Sequence, residues 1–223
     1  LACGFYYRWA WPDGVKDEEW LAARGAWHKS VRHVLQYQSR EGMDSPLLVA
    51  NAAARGELNA EHTEAWRAWC AVKDRWKPHP PIEAVWLSAF LVDDIWDWAR
   101  NVDDKAPGII WYEHAELGRA LAERKIPVFG AGKEGDGILA FRGRVCAASV
   151  EAHKDGKNLQ HFRRNLVVSW PSNGTTCEQL LGRTHRPGQQ ADEVEVETYQ
   201  HDPSLQDSVL RSREDARFVE QAH

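Results

Sequence analysis

From Gly108 onward, short apolar runs alternate with amphipathic stretches, and this alternation restricts the fold more than any other feature of the chain. Residues 108–112 (GIIWY) and 126–129 (IPVF) have the length and composition of strands, and a helical stretch over 114–124 separates them. The same reading predicts a weaker helix over 136–142 and strands over 145–150 and 165–170. A helix capped by Thr175 or Thr176 and ending near Thr184 follows. Then come a strand marked by Val194, Val196 and Thr198 and a last helix capped by Ser204. Strands that alternate with helices build a mostly parallel α/β sheet flanked by helices. Ligands of such sheets sit outside the carboxyl ends of the strands, so the useful residues are expected just after Tyr112, Val150 and Trp170.

The first hundred residues read differently. Ten of the twelve tryptophans precede residue 100, leaving only Trp111 and Trp170 in the later half. That step marks a boundary: residues 1–104 are expected to form a mainly helical insertion or linker region, and 105–223 the α/β domain. Over 16–37 the positions Trp20, Trp27, Val31, Val34 and Leu35 recur at helical spacing. Over 59–76 Trp66, Trp69, Cys70 and Trp76 fall near one side, and the breakers of 77–81 (KPHPP) close that helix. Residues 82–100 are apolar and aromatic, and read as helical from Ser88 onward. A tryptophan stripe at helical spacing belongs to a core rather than to a base-stacking platform.

Length and composition set outer limits. A chain of 223 residues can bury one sizeable core, or a core and a smaller lobe. A net charge of -5 supplies no global positive surface for nucleic acid, although local basic patches can do that work. The cysteines Cys3, Cys70, Cys146 and Cys177 are scattered without a metal-ligand spacing, which predicts reduced, mostly buried thiols in a cytoplasmic protein. No apolar run is long enough to span a bilayer and no signal-peptide pattern opens the chain, so no membrane partner is expected. A start at Leu1 and an end inside a helix-like segment read as a fragment of a longer protein.

Residues 179–189 (QLLGRTHRPGQ) concentrate the chemistry. Arg183 and Arg186 are three apart, so at a helix end they project from one side. Two neighbouring guanidiniums repel unless an anion lies between them, and their forks suit phosphate oxygens. Gly182 permits close approach of a ligand, Gln179 lies one turn before Arg183, and Pro187 with Gly188 ends the helix. The competing view is a solvated helix end whose arginines favour the dipole.

This segment is similar to motif VI of the superfamily 2 helicases, and its His-Arg-x-Gly-Gln ending resembles most the Swi/Snf-type branch. The resemblance implies that both arginines reach ATP phosphates held by a preceding domain. Arg186 would be the arginine finger, worth about 10³ to 10⁵ in rate, and Arg183 its partner near the γ-phosphate. Gln179 and Gly182 would belong to the nucleotide-coupling group. Residues 149–160 (SVEAHKDGKNLQ) resemble motif V, where Gly156 would allow a tight path near phosphate and Asn158 or Gln160 would bridge nucleotide and nucleic acid. Residues 108–114 fit motif IV, with His114 as a nucleic-acid contact, and 129–133 stand where the next backbone-contacting loop would be. The likeness covers about residues 105–222, half of the chain. It is also similar to phage-type DEAD/DEAH-box helicases, in which a tryptophan-rich helical stretch precedes motif IV.

The resemblance implies a RecA-like sheet and a nucleic-acid partner, with DNA favoured. Lys154, Lys157, His161, Arg163 and Arg164 would then form a basic cluster facing phosphates of the tracked strand; the bland alternative is a solvated loop. A complete motor also needs a Gly-x-x-x-x-Gly-Lys-Ser/Thr loop and an acidic magnesium-binding strand end. Residues 130–134 (GAGKE) lack the hydroxyl that holds magnesium. ATP and Mg²⁺ would therefore be bound mainly by a motor domain upstream in the same polypeptide, and this chain alone is expected not to hydrolyse ATP. Asp93, Asp94 and Asp97 read as the solvent side of a helix, and His28 and His33 do not share a helical face, so no metal site is expected. Two functions stay open: the C-terminal half of an ATP-dependent helicase or translocase, or a non-catalytic nucleic-acid-binding or scaffold domain on the same fold.

Overall fold

A computed structural model describes residues 2–38, 43–132, 137–153, 157–171 and 174–222, without the side chains of 13 and 215–222. The chain divides into two compact units, residues 7–83 and residues 1–6 with 84–223. Strands β1 (Phe5–Trp9) and β2 (Ile82–Trp86) pair as a two-stranded ribbon, and the chain passes from one unit to the other within each of them.

The unit 7–83 is helical. Helices α1 (Glu18–Tyr37), α2 (Pro46–Ala54) and α3 (Ala60–Val72) each begin at a residue whose side chain accepts a hydrogen bond from an otherwise orphaned helical N–H. Asp17 takes that of Trp20, Ser45 that of Leu48 and Asn59 that of His62. The tryptophan stripe is core. Trp20 is fully buried, with Trp9, Trp11 and Trp69 set edge-on around it at ring separations of 5.5, 5.8 and 5.4 Å. Edge-to-face packing aims the positive ring edge at the negative ring face, which adds to the burial term. Farther along α1, Trp27 meets Trp66 and joins Val34, Met43 and Val49 in a second cluster.

The other unit carries a five-stranded, wholly parallel sheet in the order β4-β5-β3-β6-β7, consistent with a RecA-like fold. Its strands are β3 (Gly108–Tyr112), β4 (Val128–Phe129), β5 (Val145–Ser149), β6 (Arg164–Val167) and β7 (Glu195–Thr198). Every residue of β3 is buried, because it is central and covered on both faces. On one face Ile110, Tyr112, Ala147 and Leu166 pack against α4 (Phe90–Arg100) and α5 (Ala115–Glu123). On the other, Ile109, Trp111, Cys146 and Val167 pack with Ile138, Leu159, Phe162 and Leu180. Leu180 comes from α7 (Gly174–Leu181), which lies beside α8 (Pro203–Ala222); the single turn α6 (Val150–His153) follows β5 directly.

Several boundaries differ from the sequence expectation. Residues 82–86 form β2, so α4 begins only at Phe90 and packs on the sheet. The described part of 136–142 contains only a 3-10 turn, Gly137–Leu139. The last helix is capped by Asp202, which accepts from the Ser204 N–H at 2.9 Å, rather than by Ser204. No helix among the described residues is long and apolar enough to cross a membrane.

Candidate functional site

Helix α7 stops at Leu181, short of the expected Thr184. Gly182 is a poor helix former, and Pro187 denies its preceding residue the helical conformation. The chain instead tightens through a turn in which the N–H groups of Arg183 and Thr184 return to Leu180 and Leu181. Arg183 and Arg186 therefore do not share a helix face. Arg183 is 7% exposed, and its carbonyl accepts the N–H of Leu159 at 2.9 Å. Arg186 is half-buried and its Nε donates back to the Gly182 carbonyl at 2.7 Å. Among the described residues its two terminal amino groups take no partner.

A buried polar chain ties this turn to the sheet. The indole N–H of Trp111 can only donate, so Asn165 must present Oδ1 to it, at 3.0 Å. The Asn165 amide then faces Thr184 Oγ1 at 3.1 Å and the Glu195 carbonyl at 3.3 Å. The Thr184 hydroxyl is left to donate to the Leu181 carbonyl, at 3.2 Å. Asn165 and Thr184 are both fully buried, and each polar atom of the set is satisfied. Gln189 closes the turn from the other side: its amide donates to the carbonyls of Phe162 and Thr184, and its oxygen accepts from the Ala191 N–H. Gly188 has a φ of +97°, and a Cβ there would press on the Gln160 side chain at 3.0 Å. The stretches resembling motifs V and VI are thus stitched together near the amino ends of β6 and β7. That is the edge opposite to the one expected from open α/β sheets.

The remaining predicted residues fall in different places. Gln179 is exposed on α7, Gly182 is half-buried in the turn, and Asn158 and Gln160 bond each other through two contacts at 3.1 and 3.2 Å. Gly156 and Lys154 lie outside the described residues, as does Lys133 of the loop after β4. His114 precedes α5, two residues after the end of β3, with its ring edge-on to Phe5 at 5.7 Å. Lys157 is half-buried beside α6.

The basic cluster is smaller than its sequence. Arg164 is occupied by Glu195 and Glu197 at 3.0 and 2.6 Å and stands over the Trp98 ring, so it is not available to a phosphate. Burial pushes the His161 imidazole below its ordinary pKa, the nearby Arg142 adds to that shift, and a hydrogen bond to the Phe141 carbonyl only partly opposes it. His161 is therefore neutral near pH 7. Lys157 donates to Nδ1 of His153 at 2.8 Å, and Arg163 lines a cleft of about 360 Å³ with Lys105, Gln160, His161 and Gly188. The acidic trio of α4 is dispersed: Asp93 pairs with Arg124 and Asp94 accepts from Tyr199 at 2.6 Å, while Asp97 lies 3.9 Å from Arg100. His33 neighbours His62, at a ring separation of 5.1 Å.

The sequence reading missed Asn165, Thr184 and His153. Each is polar and buried, and only an unexpectedly polar residue inside an apolar run, as in NLVV at 165–168, could have pointed to one of them. No family model matches the sequence, and no curated protein does. Among solved structures, the chain is similar to one titled as the C-terminal part of the Fun30 ATPase domain. The identity is 12% and the TM-score 0.46, over 85% of this chain and 84% of that one.

Proposed function

We propose that residues 84–223 act as the C-terminal half of an ATP-driven nucleic-acid motor, with Arg186 as the arginine finger and Arg183 as its partner. The observation that carries this reading is the joined turn. The stretch 158–160 and the turn 182–189 hold each other through the Leu159–Arg183 and Gln189–Phe162 hydrogen bonds. Such bracing suits a group that must meet a developing charge without reorganising. Tying Nε of Arg186 to Gly182 leaves its terminal amino groups as the donors for phosphate. Among the described residues Arg186 would offer its guanidinium to a nucleotide, whereas a magnesium ion would depend on a preceding domain. DNA is the favoured track, gripped by Lys157 and His114, with Lys154 and Gly156 assigned by sequence alone.

The alternative, a non-catalytic nucleic-acid-binding or scaffold domain, draws on the same turn: a buried Arg183 and a tethered Arg186 also suit a purely structural brace. One experiment separates the two. In the full-length protein, Arg186→Ala should lower DNA-stimulated ATP hydrolysis by about 10³ or more while leaving nucleotide affinity nearly unchanged. Turnover equal to that of the parent would assign the arginine to structure.

A further inference from the structure

Strand β7 ends one side of the sheet, and its outer edge pairs with no other strand among the described residues. Along a strand, successive residues turn their backbone groups to opposite sides. The Glu195 N–H donates to the Arg163 carbonyl at 2.8 Å, so Glu195 and Glu197 spend their backbone groups on β6. Val196 and Thr198 turn theirs outward, and no described backbone group bonds them. Such a row of open donors and acceptors is a template for a further strand.

A groove of about 360 Å³ lies beside this edge, lined by Leu181, His185, Asp192, Glu193, Val194 and Val196. Its floor is apolar: Val196 is 40% exposed, and Leu181 and Val194 are half-buried. Side chains alternate between faces, so Val194 and Val196 share the face of the groove. Glu195 and Glu197 stand on the opposite face, where Arg164 compensates them. At the head of the groove Asp192 and Glu193 are exposed, and no described cation pairs with them.

Charge placement decides what the groove can take. Two uncompensated carboxylates repel a phosphate backbone and attract lysine or arginine. Edge strands are also blunted by charge simply to prevent association. Here, however, the residues with open backbone groups, Val196 and Thr198, carry no charge, and the free acids stand before the strand rather than on its edge.

We infer that β7 accepts an extended basic segment of a partner protein as an added strand. The segment's backbone pairs with Val196 and Thr198, its alternate apolar side chains lie over Val194 and Val196, and a lysine or arginine at its end meets Asp192 and Glu193. It lies against Thr184 and His185, beside the turn that carries both arginines. The inference does not depend on those arginines contacting a nucleotide.

The test uses the full chain and the fluorescent peptide Lys-Lys-Val-Thr-Val-Thr-Val-Lys-Lys, followed by anisotropy and by residue-resolved amide hydrogen exchange. At saturation the peptide should slow exchange at Val196 and Thr198 by about tenfold or more, leaving Glu195 and Glu197 unchanged because β6 already protects them. The same peptide with glutamate in place of lysine should bind about tenfold more weakly. Methylating the interior backbone nitrogens of the lysine peptide should weaken it similarly, because the ladder donors are removed. Asp192→Lys combined with Glu193→Lys should reverse the preference between the two charged peptides. Val196→Pro removes an outward N–H without touching the β6 ladder and should abolish the protection at Thr198. Thermal melts establish that each variant is folded, and if Val196→Pro is not, the exposed charge-reversal pair carries the test. No binding of the lysine peptide, equal binding of both charged peptides, or binding without protection at Val196 and Thr198 overturns the proposal. Protection that follows protein concentration rather than peptide overturns it as well, and assigns the edge to a second copy of this chain.

Discussion

The two units bury their side chains in different currencies. Residues 7–83 are held by aromatic rings and helix caps, and their buried polar residues among those described are Ser30 and His62, paired at 3.2 Å. The α/β unit has an apolar core on each face of its sheet, yet it also buries Ser212 on α8 and, at or beside the segments that resemble helicase motifs, His153, Asn165, Arg183 and Thr184. Apolar packing is non-directional and tolerates exchange, whereas a buried polar set must be satisfied atom by atom. The contrast separates a region built for stability from one whose geometry has been specified at a higher cost.

The largest effect that could break this contrast is in the aromatic cluster. Trp20→Ala should destabilise the helical unit by about 3–5 kcal/mol, the usual range for emptying a fully buried indole site. Thermal unfolding followed by tryptophan fluorescence would show it. A loss below about 1 kcal/mol would mean that the cluster repacks and that the unit is not held by ring geometry.

A smaller loss is expected at Asn165. Asn165→Leu keeps the branched shape but removes the acceptor of the Trp111 N–H and the donor to Glu195, at a cost of about 1–3 kcal/mol. It should also loosen the turn that carries Arg183, so chemical denaturation and DNA-stimulated ATP hydrolysis in the full-length protein should fall together. Stability lost with turnover intact would uncouple the polar chain from the proposed site.

The mildest prediction concerns Asp17. The N–H of Trp20 at the start of α1, then the Arg75 guanidinium and the Trp76 indole, lower its carboxyl from the ordinary 3.8 to about 2. A depressed carboxylate stabilises the fold above its unfolded pKa, and that contribution is lost as pH falls through the range from about 4 to about 2. Asp17→Ala should remove this part of the acid dependence and lower the melting temperature at neutral pH. An acid-unfolding profile with the same shape as the parent's would show that the cap contributes nothing to it.

Much of the architecture was legible because burial leaves a mark on local pattern. Five consecutive apolar residues at 108–112 announce a strand covered on both faces, and tryptophans at helical spacing announce a core. The pattern failed where the deciding partner is remote. Residues 82–86 run straight into a helical stretch, and they become a strand because they pair with Phe5–Trp9 from the other end of the unit 7–83. Helix α2 escaped notice because its PLLVANAAA sequence is apolar nearly all round and shows no face. The basic cluster was overcounted because charge in a sequence does not reveal that Arg164 is already paired with Glu195 and Glu197.

By itself, the sequence determined the parallel α/β plan, the aromatic character of the region before it, and the segment in which two arginines lie within three residues of each other. These follow from periodicity and residue chemistry, which act over a few turns of chain. Only the tertiary structure decided that the arginines leave the helix and that Asn165 and Thr184 brace their turn. Those outcomes depend on donors and acceptors that the fold brings together from distant positions, where hydrogen-bond complementarity rather than local propensity selects the arrangement.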